Sequence, residues 1–219
     1  MASSNFLLPL LISLAVLHLL AGRTAGDPTD GFVQQPLSTA NFLFDKPYDK
    51  ALSERYSFIN GVHRFWVYDD DKPFRQDSPT KPRTEIRITG YDYTSGVWQF
   101  EGECYVPSGP SPGTTGVSIM QVFGATSRAT TAMIRVYVSQ LRYYNTNVLE
   151  NNIYNRWFRL NVIHDANQGR VRVYINGALK LDTTDSGRAN HYFKFGVYTQ
   201  DFSSHYMESR WRNIKVLKQ

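Results

Sequence analysis

The chain has 219 residues, 42% of them hydrophobic and 20% charged, with a formal charge of +5 at pH 7. That length supports one full core without a second domain, and the basic balance favours anionic partners. The cations are scattered through strand-like segments with no nucleic-acid motif, so DNA and RNA are not expected as partners.

The first element in chain order is an apolar, Leu-rich run over residues 6–20, followed by small residues up to Gly26. It reads as a secretory signal peptide, because it is shorter than the roughly 20 residues a spanning helix needs. No Lys or Arg precedes the run, so only the amino terminus supplies the customary positive charge. Cleavage near Gly26 divides the chain into a 1–26 leader and a 27–219 domain. Losing Arg23 leaves that domain basic. Cys104 is the only cysteine, which means that packing rather than an internal disulfide holds the domain. No Asn-x-Ser/Thr sequence occurs, so no N-glycan is expected.

From residue 55 onward, short runs rich in Val, Ile, Tyr, Phe and Trp recur between turn clusters, the pattern of an all-β sandwich of two antiparallel sheets. Asn60-Gly61 separates strands at 55–59 and 62–68, as a two-residue type I′ turn requires. Further strands are predicted at 83–89, 97–105, 117–123, 133–139 and 157–164. A second Asn-Gly hairpin, at 176–177, joins 170–175 to 178–181, and strands at 192–199 and 210–217 complete the set. Loops are expected at 69–82, 107–116, 145–155 and 182–190, where Pro, Gly, Ser and Asp cluster. Asp69-Asp70-Asp71 lacks the alternating oxygen spacing of a calcium loop, and no His or Cys pair has zinc spacing, so neither metal nor cofactor is expected. The four tryptophans, at 66, 98, 157 and 211, are assigned to the core by their strand positions. Tyr143-Tyr144 leads into a polar loop and is a candidate rim.

Three strands carry candidate chemistry. Side chains alternate across a strand, so Arg83, Glu85 and Arg87 share one face while Thr84 and Ile86 take the other. The same rule puts Tyr192, Lys194, Tyr198 and Gln200 on one face of 192–200, with Gly196 leaving room between them and Phe193, Phe195 and Val197 turned to the core. In the apolar 119–123 run, Gln121 is a polar insertion that needs a partner. Arg135, opposite Ile134 and Val136, is a further candidate. A lysine, arginines, phenols and amides on one sheet surface suit an anionic, hydroxylated ligand.

Arg-Thr-Glu-Ile-Arg at 83–87, Gln-Val-Phe at 121–123 and Tyr-Phe-Lys-Phe-Gly-Val-Tyr-Thr-Gln at 192–200 together resemble, in order and spacing, the signature segments of the alginate lyase (polysaccharide lyase family 7) superfamily. The resemblance spans the whole domain. It implies a concanavalin-like β-jelly roll with its ligand on one sheet. It also implies that Arg83 and Gln121 neutralise a uronate carboxylate and that Tyr198 transfers protons in β-elimination. The superfamily's histidine base falls at Phe123, which cannot act as a base. His191 and His205 flank the motif strand as weaker substitutes. The same donors suit citrate or another small carboxylate, with Arg83 and Arg87 as forks and Lys194 as a point charge. Within the superfamily the chain most resembles a plant branch associated with the vacuole, which implies a soluble carrier or a protein peripherally bound to a membrane. An active polyuronate lyase and a non-catalytic polysaccharide-binding protein are the alternatives.

Overall fold

The computed structural model describes residues 26–110 and 113–219; the expected leader lies outside them, apart from Gly26. Fifteen strands form two antiparallel sheets packed face to face, with only two three-residue 3-10 turns, Thr39–Asn41 and Leu52–Glu54, among the described residues. The strands are β1 (Val33–Gln34), β2 (Phe42–Asp45), β3 (Tyr56–Ile59), β4 (Val62–Tyr68), β5 (Arg83–Ile88), β6 (Val97–Tyr105), β7 (Val117–Phe123) and β8 (Thr130–Tyr137). They continue as β9 (Gln140–Tyr143), β10 (Asn147–Glu150), β11 (Trp157–Asp165), β12 (Arg170–Ile175), β13 (Ala178–Thr184), β14 (Tyr192–Thr199) and β15 (Tyr206–Lys218). One sheet runs β13-β12-β11-β6-β15-β4-β3, with β1 added along β15. The other, which carries the candidate site, runs β10-β9-β8-β7-β14-β5-β2.

Alternation generates the core directly. On β4, His63, Phe65 and Val67 point inward while Arg64, Trp66 and Tyr68 point outward. Phe65, Phe100, Phe193, Phe195 and Trp211 are fully enclosed between the sheets, and Phe195 packs edge-on against Phe65 at 5.5 Å and Trp211 at 5.8 Å. Each such aromatic contributes a large buried area. The core expectation holds for Trp98 and Trp211 but not for Trp66 and Trp157. Those two lie half-buried on the outer face, where Arg64 and Arg212 stack over them at 4.8 and 4.2 Å.

Both Asn-Gly turns adopt positive φ at their two central residues, 51° and 77° at 60–61 and 51° and 83° at 176–177, the type I′ geometry. The β8–β9 hairpin uses the same handedness without a glycine, with Val138 at φ 45° and Ser139 at φ 65°. A β-branched residue there carries strain and gives no sequence signal. For that reason β9 and β10 escape the strand pattern, and β10 occupies part of the expected 145–155 loop. The short strand β2 is likewise unanticipated; it pairs with β5 along the edge of the site sheet.

His63 is the one titratable group that faces the aromatic core from β4. Burial pushes its pKa down from 6.5 to about 4, and Nδ1 meets the Tyr56 hydroxyl at 2.8 Å. Above its ordinary pKa the imidazole is neutral folded or unfolded, so stability is complete. As pH falls from there towards the folded pKa, only the unfolded chain takes up the proton, and stability drops by about 2 kcal/mol by about pH 5. Urea unfolding across this range is expected to show that slope, and His63→Gln is expected to reduce it. Some slope persists in the variant, because burial also holds His164 and His191 below the ordinary histidine range.

Candidate functional site

The site is assembled by the adjacency of β7, β14 and β5. Register places Lys194 opposite Gln121 on one side and Arg87 on the other, with Tyr198 opposite Arg83 and Gly196 opposite Glu85. The β14–β7 register slips between Phe195 and Tyr198. At that slip Gly196 has φ 142°, and a Cβ there would press on the Thr84 carbonyl and lie 2.7 Å from Glu85 Cα. Gly196 therefore serves the close approach of β14 to the β5 backbone, rather than simply opening space between side chains.

Glu85 is the centre of the polar network. It is fully enclosed, accepting from Lys194 Nζ at 2.7 Å, from Arg83 at 3.4 Å and from the Gln121 amide in a short contact. The partner that Gln121 needs is thus Glu85, and one of its two amide N–H groups remains for a ligand. Lys194 also donates to Asp45 of β2 at 2.8 Å. Burial alone would lower the lysine pKa, but the Glu85 and Asp45 carboxylates outweigh it and hold the ammonium above its ordinary value. Lys194 is therefore not the free point charge anticipated for a ligand; two carboxylates already neutralise it.

The other expected residues divide by what they touch. Arg83 stacks on the Tyr198 ring at 3.7 Å and on Phe74 at 4.9 Å. Its Nε is buried without a hydrogen-bond partner among the described residues. Arg87 instead pairs with Asp92 at 2.6 Å and covers Tyr192 at 3.8 Å. The Tyr192 ring stacks in turn on Phe123, centroids 4.7 Å apart. Arg135 contacts Tyr137 Oη at 3.5 Å and Met133 Sδ at 3.1 Å, and lies 5.1 Å over the Tyr144 ring. Gln200 does not join the site, because its amide donates to the carbonyls of Tyr198 and Thr199. Tyr143 is buried and bonded to the Thr131 carbonyl at 3.0 Å, which leaves Tyr144 alone of that pair near the site.

A cavity of about 290 Å³ opens at this place, lined by Phe74, Arg83, Gln121, Phe123, Thr130 and Tyr198, among others. It gathers the arginine, amide and tyrosine that the three motifs single out. Phe74, from the 69–82 loop, and Asp45, from β2, are site residues that sequence reasoning misses; each acts across the fold with no local motif to mark it. Neither candidate substitute base lines the cavity. His191 is buried behind the sheet with Nδ1 at 3.3 Å from the Phe123 carbonyl, and His205 pairs with Asp69 at the surface at 2.7 Å. A larger depression of about 510 Å³ on the other sheet is lined by residues including Glu101, Arg159 and Lys215. Its charges are internally paired, Lys215 with Glu101 and Arg159 with Asp27, both at 2.7 Å.

Two antiparallel sheets, with a cavity holding an arginine, an amide and a tyrosine on the outer face of one, define a jelly-roll protein of the polysaccharide-lyase type. The alginate lyase family model matches residues 36–218, and the chain belongs to that family. It is 56% identical to the citrate-binding protein of Hevea brasiliensis over 195 residues, covering 89% of this chain and 80% of the relative. Its fold is similar to that of the family 7 alginate lyase AlgAT5, with a TM-score of 0.64 at 20% identity over 83% of this chain and 96% of the other. An alginate lyase from Corynebacterium sp. is similar at a TM-score of 0.62 and 18% identity, over 76% and 82% of the two chains.

Proposed function

We propose that the protein binds citrate or a closely related small carboxylate in the Arg83 cavity, without lyase chemistry. The observation that carries the reading is the convergence of the buried Arg83 guanidinium, the Gln121 amide and Tyr198 on one cavity. A guanidinium receives a carboxylate through two parallel hydrogen bonds. The second amide N–H of Gln121 and the Tyr198 hydroxyl then serve the remaining carboxylate and hydroxyl oxygens. The cavity, about 290 Å³, sits at the small end of ligand pockets and suits a compact acid. The Hevea relative, named for citrate binding, supports this assignment.

Phe123 stands where the lyase resemblance calls for a histidine base, and it offers no group that takes up a proton. On this reading Phe123→His is expected to raise β-elimination on a polyuronate by about 10² to 10⁴, the usual contribution of a proton-transfer group. Adding Tyr198→Phe is expected to remove that gain. Release of unsaturated uronate, read by ultraviolet absorbance, checks both variants. Turnover by the native chain as fast as by the histidine variant would establish the lyase reading instead.

On the same reading the expected 1–26 leader directs the protein into the secretory pathway, and we propose the vacuole rather than the cell wall as its destination. Among the described residues no helix is long and apolar enough to cross a membrane. We propose that any role in citrate transport is that of a carrier or of a partner peripheral to a membrane transporter.

A further inference from the structure

We infer that His164, Asp185 and His191 form a binding site for a zinc-class divalent transition-metal ion, separate from the carboxylate cavity. The three residues come from different elements. His164 lies near the end of β11, Asp185 follows β13, and His191 immediately precedes β14. One ligand atom from each lies within 4.8 Å of the others. Both imidazoles are buried, and their rings meet edge to face with centroids 4.5 Å apart. Asp185 is less enclosed and gives the cluster its solvent side.

Every ligand already has an orienting partner. His191 Nδ1 faces the Phe123 carbonyl at 3.3 Å. A carbonyl only accepts, so the ring proton sits on Nδ1 and the Nε2 lone pair is free. His164 Nδ1 meets the Tyr93 hydroxyl at 2.9 Å, while Nε2 lies 3.1 Å from Asp185 Oδ2. Asp185 Oδ1 accepts from the Gly187 amide at 2.9 Å, which fixes the carboxylate plane. A second hydrogen bond on the far nitrogen of each histidine, plus one on the carboxylate, is how proteins orient metal ligands.

Two imidazoles and one carboxylate select zinc, cobalt, nickel or copper over calcium and magnesium, which require oxygen donors. Bonds of about 2 Å bring ligand atoms to within about 3.5 Å of one another, so a side-chain adjustment of about 1 Å closes the site. Three protein ligands leave a fourth position for water or a small anion. When the ion binds, the His164 Nε2 proton moves to Nδ1, the Tyr93 oxygen becomes its acceptor, and the Asp185 oxygen it leaves turns to the ion. No proton is lost from the protein in that exchange.

The test is titration of the full chain with Co²⁺ in citrate-free buffer, reading bound metal by dialysis and the visible ligand-field bands. One equivalent is expected, with the absorption of a four- or five-coordinate nitrogen–oxygen site. His191→Gln and Asp185→Asn are expected to weaken binding by about 100-fold or more, since losing even an orienting partner costs about 10- to 100-fold. His205→Gln, which alters the exposed Asp69, Asp70 and His205 group, is expected to change nothing. Absence of uptake overturns the proposal, as does uptake that ignores His191→Gln or is lost with His205→Gln. Should the buried variants fail to fold, pulsed EPR of Cu²⁺ on the unmutated chain decides. Coupling to two imidazoles supports the site, and coupling to one or none rejects it.

Discussion

Arg83→Ala is expected to weaken citrate binding by about 100-fold or more while the β-sheet circular dichroism is retained. A hydrogen bond to a charged group contributes about 1.5–3 kcal/mol, and the guanidinium supplies two to one carboxylate. The loss is compounded by what remains. Glu85, 3.4 Å from the Arg83 guanidinium, would then face the ligand with Lys194 and the Gln121 amide as its only counterweights. Arg87→Ala serves as the contrast, with an expected change of less than about threefold in line with an exposed ion pair. Arg87 spends its guanidinium on Asp92 and Tyr192 and is absent from the cavity lining. Calorimetric titration of both variants checks the pair of expectations. Equal losses would move the ligand along the sheet toward Arg87, and two unchanged affinities would move it off the sheet.

Lys194→Met is expected to cost stability rather than affinity, by about 3–5 kcal/mol, the usual penalty for removing one partner of a buried ion pair. The ammonium is nine-tenths enclosed or more, with a side-chain exposure of 4%, and it separates two carboxylates that would otherwise face each other. Urea midpoints of the two proteins at neutral pH measure this. A variant as stable as the parent but unable to bind citrate would return Lys194 to the role of ligand donor.

That distinction marks where the sequence stopped being informative. Strand alternation located Arg83, Glu85, Arg87, Tyr192, Lys194 and Tyr198 on one face, because period two depends only on nearest neighbours. The Asn-Gly hairpins were legible for the same local reason. Which of those charges remain available is a non-local matter. Asp45 neutralises Lys194 across 149 residues of chain, and Phe74 reaches Arg83 from a loop whose composition marks only a turn-rich segment. Gln200 satisfied the alternation rule yet folded back on its own strand, since the end of β14 gives it two carbonyls within reach. The His164, Asp185 and His191 cluster was invisible because metal-site spacing rules describe ligands close in sequence, and these are brought together by three strand ends at one edge of the core. The turn at Val138-Ser139 was hidden by the opposite fault, residues that local preference argues against.

Calorimetric titration of citrate into the protein at near-neutral pH and low salt, where charge-assisted binding is least screened, tests whether the Arg83 cavity holds one small carboxylate. A saturable heat with one site per chain, abolished in Arg83→Ala, is the predicted result. No heat from the native protein, or an unchanged isotherm in that variant, would contradict it.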